Sequence, residues 1–454
     1  MRSLLLLLAL ALTAAAEPRP NFVFILIDDM GATDLGCYGS KFYETPQIDR
    51  LAKDGLKFTR AYSACTVCSP TRASLLTGQY PARLHLTDWI AGHERPFARL
   101  RVPDWQKSLK PEWTTLPELL RGAGYATATI GKWHLGDDAP AVHGFDVNIG
   151  GTHKGQPPSY FSPYKIPTLP DGADGEFLSD RLTSEAEKWI EQNKERPFFL
   201  YLPHFAVHTP LAGKPGVVAK YKAKRDEAAP QRNAVYAALV ESVDDSVGRL
   251  RAKLEQLGIA ERTVFVFTSD NGGLLSSTGN LGIRAGKGSA FEGGVRVPCI
   301  AYWPGTVKPV ESATPTITPD WFATFAELAG VKSDAPVDGA SLVPLLRGSG
   351  ALPARPLYWH YPHYHPGGAT PYSALRDGDL RLVHFYEDDR VELYDLRADP
   401  EEKQDLAVSQ PEKAKALRAQ LDAWRTATGA QPPTPNPNHD PAKNAGPKKA
   451  AQKL

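Results

Sequence analysis

Phe22-Val23-Phe24-Ile25-Leu26-Ile27-Asp28-Asp29 decides the fold of this chain. Six apolar residues in succession leave no polar face, so the run reads as a strand buried on both sides, the habit of parallel sheets. Two adjacent carboxylates at its end repel each other and cost stability beside a buried strand unless a cation compensates. Similar runs recur at 125–130, 197–202 and 263–268. Each leads into a polar cluster: Gly131-Lys132-Trp133-His134, His204 to His208, and Asp270-Asn271-Gly272-Gly273. Between the runs lie helical stretches near 46–51, 116–121, 179–194, 232–257 and 321–328. In the longest, Val235, Leu239, Val243, Val247 and Leu250 recur at helical spacing. The alternation predicts an α/β fold, a large and mostly parallel sheet with helices on both faces. Ligands bind such sheets at the C-terminal strand ends. Asp28, Lys132, His204 and Asp270 all stand at that edge.

A different stretch carries the chemistry: Cys68-Ser69-Pro70-Thr71-Arg72-Ala73-Ser74-Leu75-Leu76-Thr77-Gly78. Pro70 suits the first turn of a helix and Gly78 its stop. Cys68 then sits at the helix N-terminus, where unpaired N–H groups favour negative charge. Arg72, four residues on, shares its face. The pattern is a nucleophile with an anion clamp; alone, it would be a buried cysteine beside a surface arginine. Cys65 and Cys68 form a C-x-x-C, but no second pair completes a zinc site, and four cysteines are too few for a disulfide scaffold. Asp28, Asp29, Asp270 and Asn271 offer oxygen only, which suits a hard cation, Ca²⁺ ahead of Mg²⁺. On an extended segment Lys132 and His134 point to one side, an anion contact next to a proton carrier. Lys287 sits between Gly286 and Gly288 on a flexible loop. Singly, most of these clusters would be turns or solvated loops.

In this order the clusters resemble the formylglycine-dependent sulfatases, from Asn21 through about Asp405, with C-x-P-x-R followed by L-T-G at 68–78 as the most specific motif. The resemblance implies an alkaline-phosphatase-like fold and oxidation of Cys68 to formylglycine by a formylglycine-generating or anaerobic sulfatase-maturating enzyme. It implies Asp28, Asp29, Asp270 and Asn271 as Ca²⁺ ligands, with the modified Cys68 completing the set. Arg72 and Lys132 would hold and polarise formylglycine, and His134 would bond its hydroxyl. His208, rather than His204, would contact the sulfate ester, with Lys287 on the leaving-group side. The family's further polar sulfate contact falls near 148–153 without a clear counterpart.

Composition sets the outer bounds. A chain of 454 residues with 42% hydrophobic and 23% charged residues is globular, and a net charge of +1 gives no reason to expect nucleic acid as partner. Residues 1–16, with Arg2, a leucine-rich run and Ala14-Ala15-Ala16, read as a signal peptide, so the chain is expected to be exported, periplasmic or secreted. No stretch is long enough to span a membrane. The catalytic domain is expected over 17–350. Short alternating strands and a helix make 351–429 a small antiparallel sheet with its cover. The Pro-, Asn- and Lys-rich 430–454 reads as a disordered tail. An exported enzyme rich in Trp and His suggests a sulfated carbohydrate, and the segments Tyr361-Pro362-His363-Tyr364 and Pro371-Tyr372-Ser373-Ala374-Leu375-Arg376 resemble those of bacterial polysaccharide sulfatases, which implies galactose- or N-acetylgalactosamine-type sulfates. Its expected contacts are His85, Asp88, His153, His204 and His363. Two rivals remain: a phosphate esterase or phosphonate hydrolase on the same fold, and a secreted glycan-binding protein with a decayed site.

Overall fold

The computed structural model describes residues 19–444; the signal peptide expected at 1–16 lies outside them. Nine strands form one sheet. Its order is Thr316–Ile317, Leu56–Tyr62, Arg296–Tyr302, Thr263–Ser269, Asn21–Ile27, Phe198–Pro203, Ala126–Ile130 and Val147–Ile149, with Val310–Ser312 also beside Leu56–Tyr62. Asn21–Ile27 is central, with parallel partners on both sides, and is buried throughout. Its alternate residues serve two cores. Val23, Ile25 and Ile27 join the helices Leu178–Asn193 and Ala234–Gln256. Phe22, Phe24 and Leu26 join Cys68–Thr77, Leu116–Gly122 and Asp320–Ala329. That double service explains why no polar residue interrupts the run.

One strand runs against the rest. Arg296–Tyr302 is antiparallel to both its neighbours. Its sequence, opened by Gly293-Gly294 and containing Pro298, reads as a loop. Pro298 is tolerated because the pairing register shifts between Phe58 and Ala61 opposite it, so no ladder donor is required there.

Leu357–Tyr361, Tyr372–Asp377, Leu380–Phe385 and Val391–Asp395 form the expected small antiparallel sheet, covered by the helix Pro411–Thr428. The expected tail does not describe residues 430–444. Thr434–Pro435 pairs with Leu100–Arg101, Asn436 donates to the carbonyls of Pro96 and Ala98, and the Asp440 N–H donates to Phe97. Polar composition left this segment without a core of its own, and backbone pairing with a loop of the main domain holds it instead. Among the described residues no helix is long and apolar enough to cross a membrane.

Candidate active site

The parallel strands deliver their polar ends to one place. Asp28 and Asp29 follow Asn21–Ile27, and Asp270 and Asn271 follow Thr263–Ser269. Lys132 and His134 follow Ala126–Ile130, and His208 follows Phe198–Pro203. Gly131 at the turn has φ 126°, and a Cβ there would lie 2.0 Å from the Pro203 carbonyl oxygen. The turn to Lys132 therefore needs glycine. Asp29 (φ 64°) and His134 (φ 57°) occupy left-handed backbone, strain of the kind that collects at functional sites.

Cys68 opens the helix Cys68–Thr77, which Gly78 ends in the left-handed conformation. The four cysteines are free, so Cys65 and Cys68 form no disulfide. Burial pushes the Cys68 thiol up to about 12, against the pull of Lys132 and Lys287. Lys287 Nζ lies 3.5 Å from Cys68 Sγ and 2.5 Å from Asp29 Oδ1. The hydrogen bonds of Arg72 go to the strand ends. Its Nε and Nη2 both donate to Asp270 Oδ2, at 3.0 and 2.7 Å, and Nη1 donates to the Lys132 carbonyl. Lys132 Nζ donates to Asp28 Oδ2 at 2.6 Å. Each of the three buried carboxylates thus has its own cation, and the site is charge-balanced by pairs.

The oxygens left over point to what else the site holds. Asp28 Oδ1, Asp29 Oδ2 and Asn271 Oδ1 are buried acceptors with no donor. Buried acceptors are rarely left so. Asp28, Asp29, Cys68 and His208 can bring one ligand atom each within 4.8 Å of one another. The three bare oxygens of Asp28, Asp29 and Asn271 fit a divalent cation, whose charge would satisfy all of them. Burial raises Asp29, but Lys287 and His208 overrule it and hold that carboxyl well below the usual range. Burial and the Asp28 charge raise Asp270 to about 6, against Arg72.

The histidines separate into two kinds. His134 Nε2 contacts the Ile90 carbonyl, which makes Nε2 the protonated nitrogen and leaves Nδ1, with no other partner, as a free base. Burial and the nearby Lys132 keep the ring neutral. His208 Nδ1 donates to the Thr209 carbonyl, and Nε2 lies 3.6 Å from Asp29 Oδ2. Burial lowers its pKa to about 4. His204 is not part of the site. It is buried, with Nε2 3.0 Å from the Ser246 hydroxyl on the long helix.

A cavity of about 480 Å³ opens over Cys68, Asp29, His134, His208 and Lys287. Of the expected saccharide contacts His85, Asp88, His153, His204 and His363, none lines it. His85 meets the Gly429 carbonyl in the small-sheet region. His153 stands half exposed beside Asp137. His363 is buried, with Nε2 at 2.8 Å from Thr87 Oγ1 and Nδ1 at 3.8 Å from Asp88, which itself accepts from Tyr361 and the Trp89 N–H. The wall is made instead by Trp89, Ile90, Lys154, Gln156, Leu274 and His365. Trp89 and His365 fall in stretches whose aromatic and histidine content marks them in sequence, whereas Lys154 and Gln156 carry no such signal.

Fold and site together define a sulfuric ester hydrolase. The chain belongs to the sulfatase family: the family profile described as sulfatase matches residues 20–331, and an N-sulphoglucosamine sulphohydrolase C-terminal profile matches 286–427. It is 36% identical to N-acetylgalactosamine-6-sulfatase of Canis lupus familiaris, over 79% of this chain and 72% of that protein. Steryl-sulfatase of Mus musculus is 30% identical over 92% of this chain and 83% of its own length. The crystal structure of Ps i-CgsB with k-i-k-neocarrahexaose superposes with a TM-score of 0.76 at 30% identity, covering 90% of this chain and 93% of that one. The family's architecture is the alkaline-phosphatase-like one expected.

Proposed function

We propose that this sulfatase acts on a sulfated saccharide through a formylglycine made from Cys68, with a divalent cation, Ca²⁺ ahead of Mg²⁺, held by Asp28, Asp29, Asp270 and Asn271. The observation that carries this is Cys68 at a helix N-terminus, touched by Lys287 and set among buried oxygens that lack donors. The raised thiol adds support: an unmodified Cys68 stays protonated at neutral pH and would be a poor nucleophile and a poor ligand.

Formylglycine at position 68 would supply a hydrated aldehyde, with one hydroxyl as the nucleophile toward sulfur and the second as the group whose deprotonation would release sulfate. A bound dication supplies charge stabilisation for the sulfuryl oxygens. The chain's own residues divide the remaining work. Arg72 holds Asp270 in place, and Lys132 holds Asp28. Burial lowers Lys287, but Asp29 outweighs it and raises the ammonium, so it is the charged group that faces both the nucleophile and the departing oxygen. His208 carries its proton on Nδ1, turned toward the Thr209 carbonyl. That leaves Lys287 the better placed donor to the leaving alcohol and His208 Nε2 an acceptor. His134 Nδ1 is the free base for the second hydroxyl.

The wall favours a sugar over a sterol. Lys154, Gln156, His208, Thr209 and His365 present polar groups, with Trp89 as a stacking face and Ile90 and Leu274 as the aliphatic side chains. Galactose- or N-acetylgalactosamine-type sulfates fit this wall and the relatives above. Residues 17–350 form the catalytic unit, and 351–429 the small-sheet unit, which contributes His365. Export to the periplasm or outside the cell, and maturation by a formylglycine-generating or anaerobic sulfatase-maturating enzyme, complete the proposal.

The test is mass spectrometry of the peptide ending at Arg72 from native material, with sulfate release scored across sulfated galactose, N-acetylgalactosamine and steroid substrates. An unmodified Cys68 with activity retained would sink the mechanism. Faster cleavage of an aryl phosphate or phosphonate than of the matched aryl sulfate would favour the rival hydrolase.

A further inference from the structure

A second cavity, about 320 Å³, lies beside the catalytic one. The two share a wall: Leu274 lines the first and its neighbour Leu275 the second. Adjacent Cα atoms are about 3.8 Å apart, so the two cavities flank the same short loop. Lys222, Arg225 and Arg232 line it against one carboxylate, Glu227. In a protein with net charge +1 this surplus is local. Lys222 is exposed and makes no ion pair or side-chain hydrogen bond among the described residues. Among the described residues Arg225 pairs only with Glu227, a solvent-exposed contact of little worth that an anion could replace. Arg232 donates to the carbonyls of Glu227 and Ala229 and so shapes the loop. Ser276, Ser277, Thr278 and Asn233 add neutral polar groups.

The cavity is built, and it is built onto the active site. Asp34, fully buried, accepts from Gln231 Nε2 at 3.0 Å on the basic loop and from Thr278 Oγ1 at 2.8 Å on the opposite wall. The same carboxylate accepts from the Gly31 N–H at 2.8 Å, on the turn that follows Asp28 and Asp29. Gly279 permits the close approach: a Cβ there would lie 2.7 Å from the Pro230 carbonyl oxygen. One buried group thus fixes both walls of the basic cavity relative to the candidate metal ligands.

We propose that this cavity is a subsite for a second sulfate group on the same saccharide chain, so that the enzyme favours multiply sulfated oligosaccharides over isolated sulfated sugars. The inference rests on the sulfated-saccharide reading above. It explains why Lys222 and Arg225, which hold no other element of the fold, gather in a cavity whose lining includes Leu275, the neighbour of Leu274 in the catalytic wall.

The test compares three proteins: the unaltered chain, Lys222→Glu with Arg225→Glu, and Lys413→Glu with Lys415→Glu as a control of equal charge change on the C-terminal helix. Fluorescein-labelled dextran sulfate oligosaccharide is the probe, with binding read by anisotropy. The cavity variant should bind at least tenfold more weakly, and the control should stay within twofold of the unaltered chain. Equal weakening in both variants, no weakening in either, or displacement of the probe by inorganic sulfate at the same sulfate concentration would overturn the subsite. Turnover of 4-nitrophenyl sulfate, too small to reach Lys222, should be the same in all three. Absence of turnover in the unaltered chain would count against the sulfatase chemistry alone, since the anisotropy comparison still decides the subsite.

Discussion

Stripping the divalent cation should abolish activity and leave the fold standing. Asp28, Asp29 and Asp270 each hold a cationic side chain of the protein, Lys132, Lys287 and Arg72, at 2.5 to 2.7 Å. Two bare carboxylates 4 Å apart would repel by about 4 kcal/mol at an effective dielectric of about 20, but here that repulsion is offset pair by pair. The stripped protein therefore loses only the linkage term. A cation present at about 100 times its dissociation constant contributes about 2.7 kcal/mol. Unfolding entropy of about 2.1 cal/mol/K per residue makes roughly 1 kcal/mol/K for 454 residues, so the expected fall in Tm is about 3 °C. The assay is differential scanning fluorimetry with parallel sulfate release, before and after chelation, with the metal content of each sample measured. Adding back Ca²⁺ and Mg²⁺ separately should restore activity, Ca²⁺ more fully, because three irregularly placed oxygens suit the more flexible coordination. A Tm drop beyond about 10 °C would show that the cation, not the ion pairs, holds the strand ends together. Full activity with less than about one-tenth of an ion per chain would refute the metal site, since no other group on these residues satisfies the bare oxygens.

Three further outcomes are expected. His204→Ala should cost about 2–4 kcal/mol of stability by opening a buried cavity with kcat nearly unchanged, whereas His208→Ala should lower kcat at least tenfold with little change in Tm; the reverse pattern would exchange their roles. Gly155→Ala should lower kcat more than it raises KM, because a Cβ there would lie 2.6 Å from the His134 ring; steady-state kinetics with 4-nitrophenyl sulfate reads this. Burial raises Asp88 to about 7, against hydrogen bonds from Tyr361 and the Trp89 N–H, while its neighbour His363, lowered by burial to about 3, stays neutral. A carboxyl raised on folding contributes stability that is present below its unfolded pKa near 4 and is lost as pH rises through 7, up to about 4 kcal/mol. Asp88→Asn, which mimics the protonated acid, should flatten the fall in Tm between pH 5 and 8, and an unflattened curve would place the titration elsewhere.

What was legible in the sequence was what strand ends announce. An apolar run serving two cores must be uninterrupted, so its end is marked by the first polar residue, and Asp28, Lys132 and Asp270 could be read as neighbours before any contact was known. Partner choice was less legible. Arg72 shares a helix face with Cys68, yet its guanidinium serves Asp270 and the Lys132 carbonyl, because a nearby buried carboxylate is a stronger partner than a neutral thiol. The saccharide contacts failed for a related reason. Histidine and tyrosine content marks the 358–365 stretch, but content carries no direction. His363 turns inward to Thr87 and Asp88, and only His365, two residues on, reaches the cavity.

Local sequence also hid the strand Arg296–Tyr302, whose proline and preceding glycines argue against a central position until the register shift opposite Pro298 is seen. The antiparallel direction of the strand bears on the site. Gly294, at the entrance to this strand, is packed under Thr66 Oγ1 at 2.6 Å from where a Cβ would sit, and Thr66 Oγ1 in turn accepts from the N–H groups of Gly288 and Ser289. The antiparallel strand thus brings the Lys287 loop back across the start of the Cys68 helix, which a parallel crossover would have carried to the far edge. Its direction is what lets an ammonium near the end of the domain's sequence stand 3.5 Å from the sulfur near its beginning.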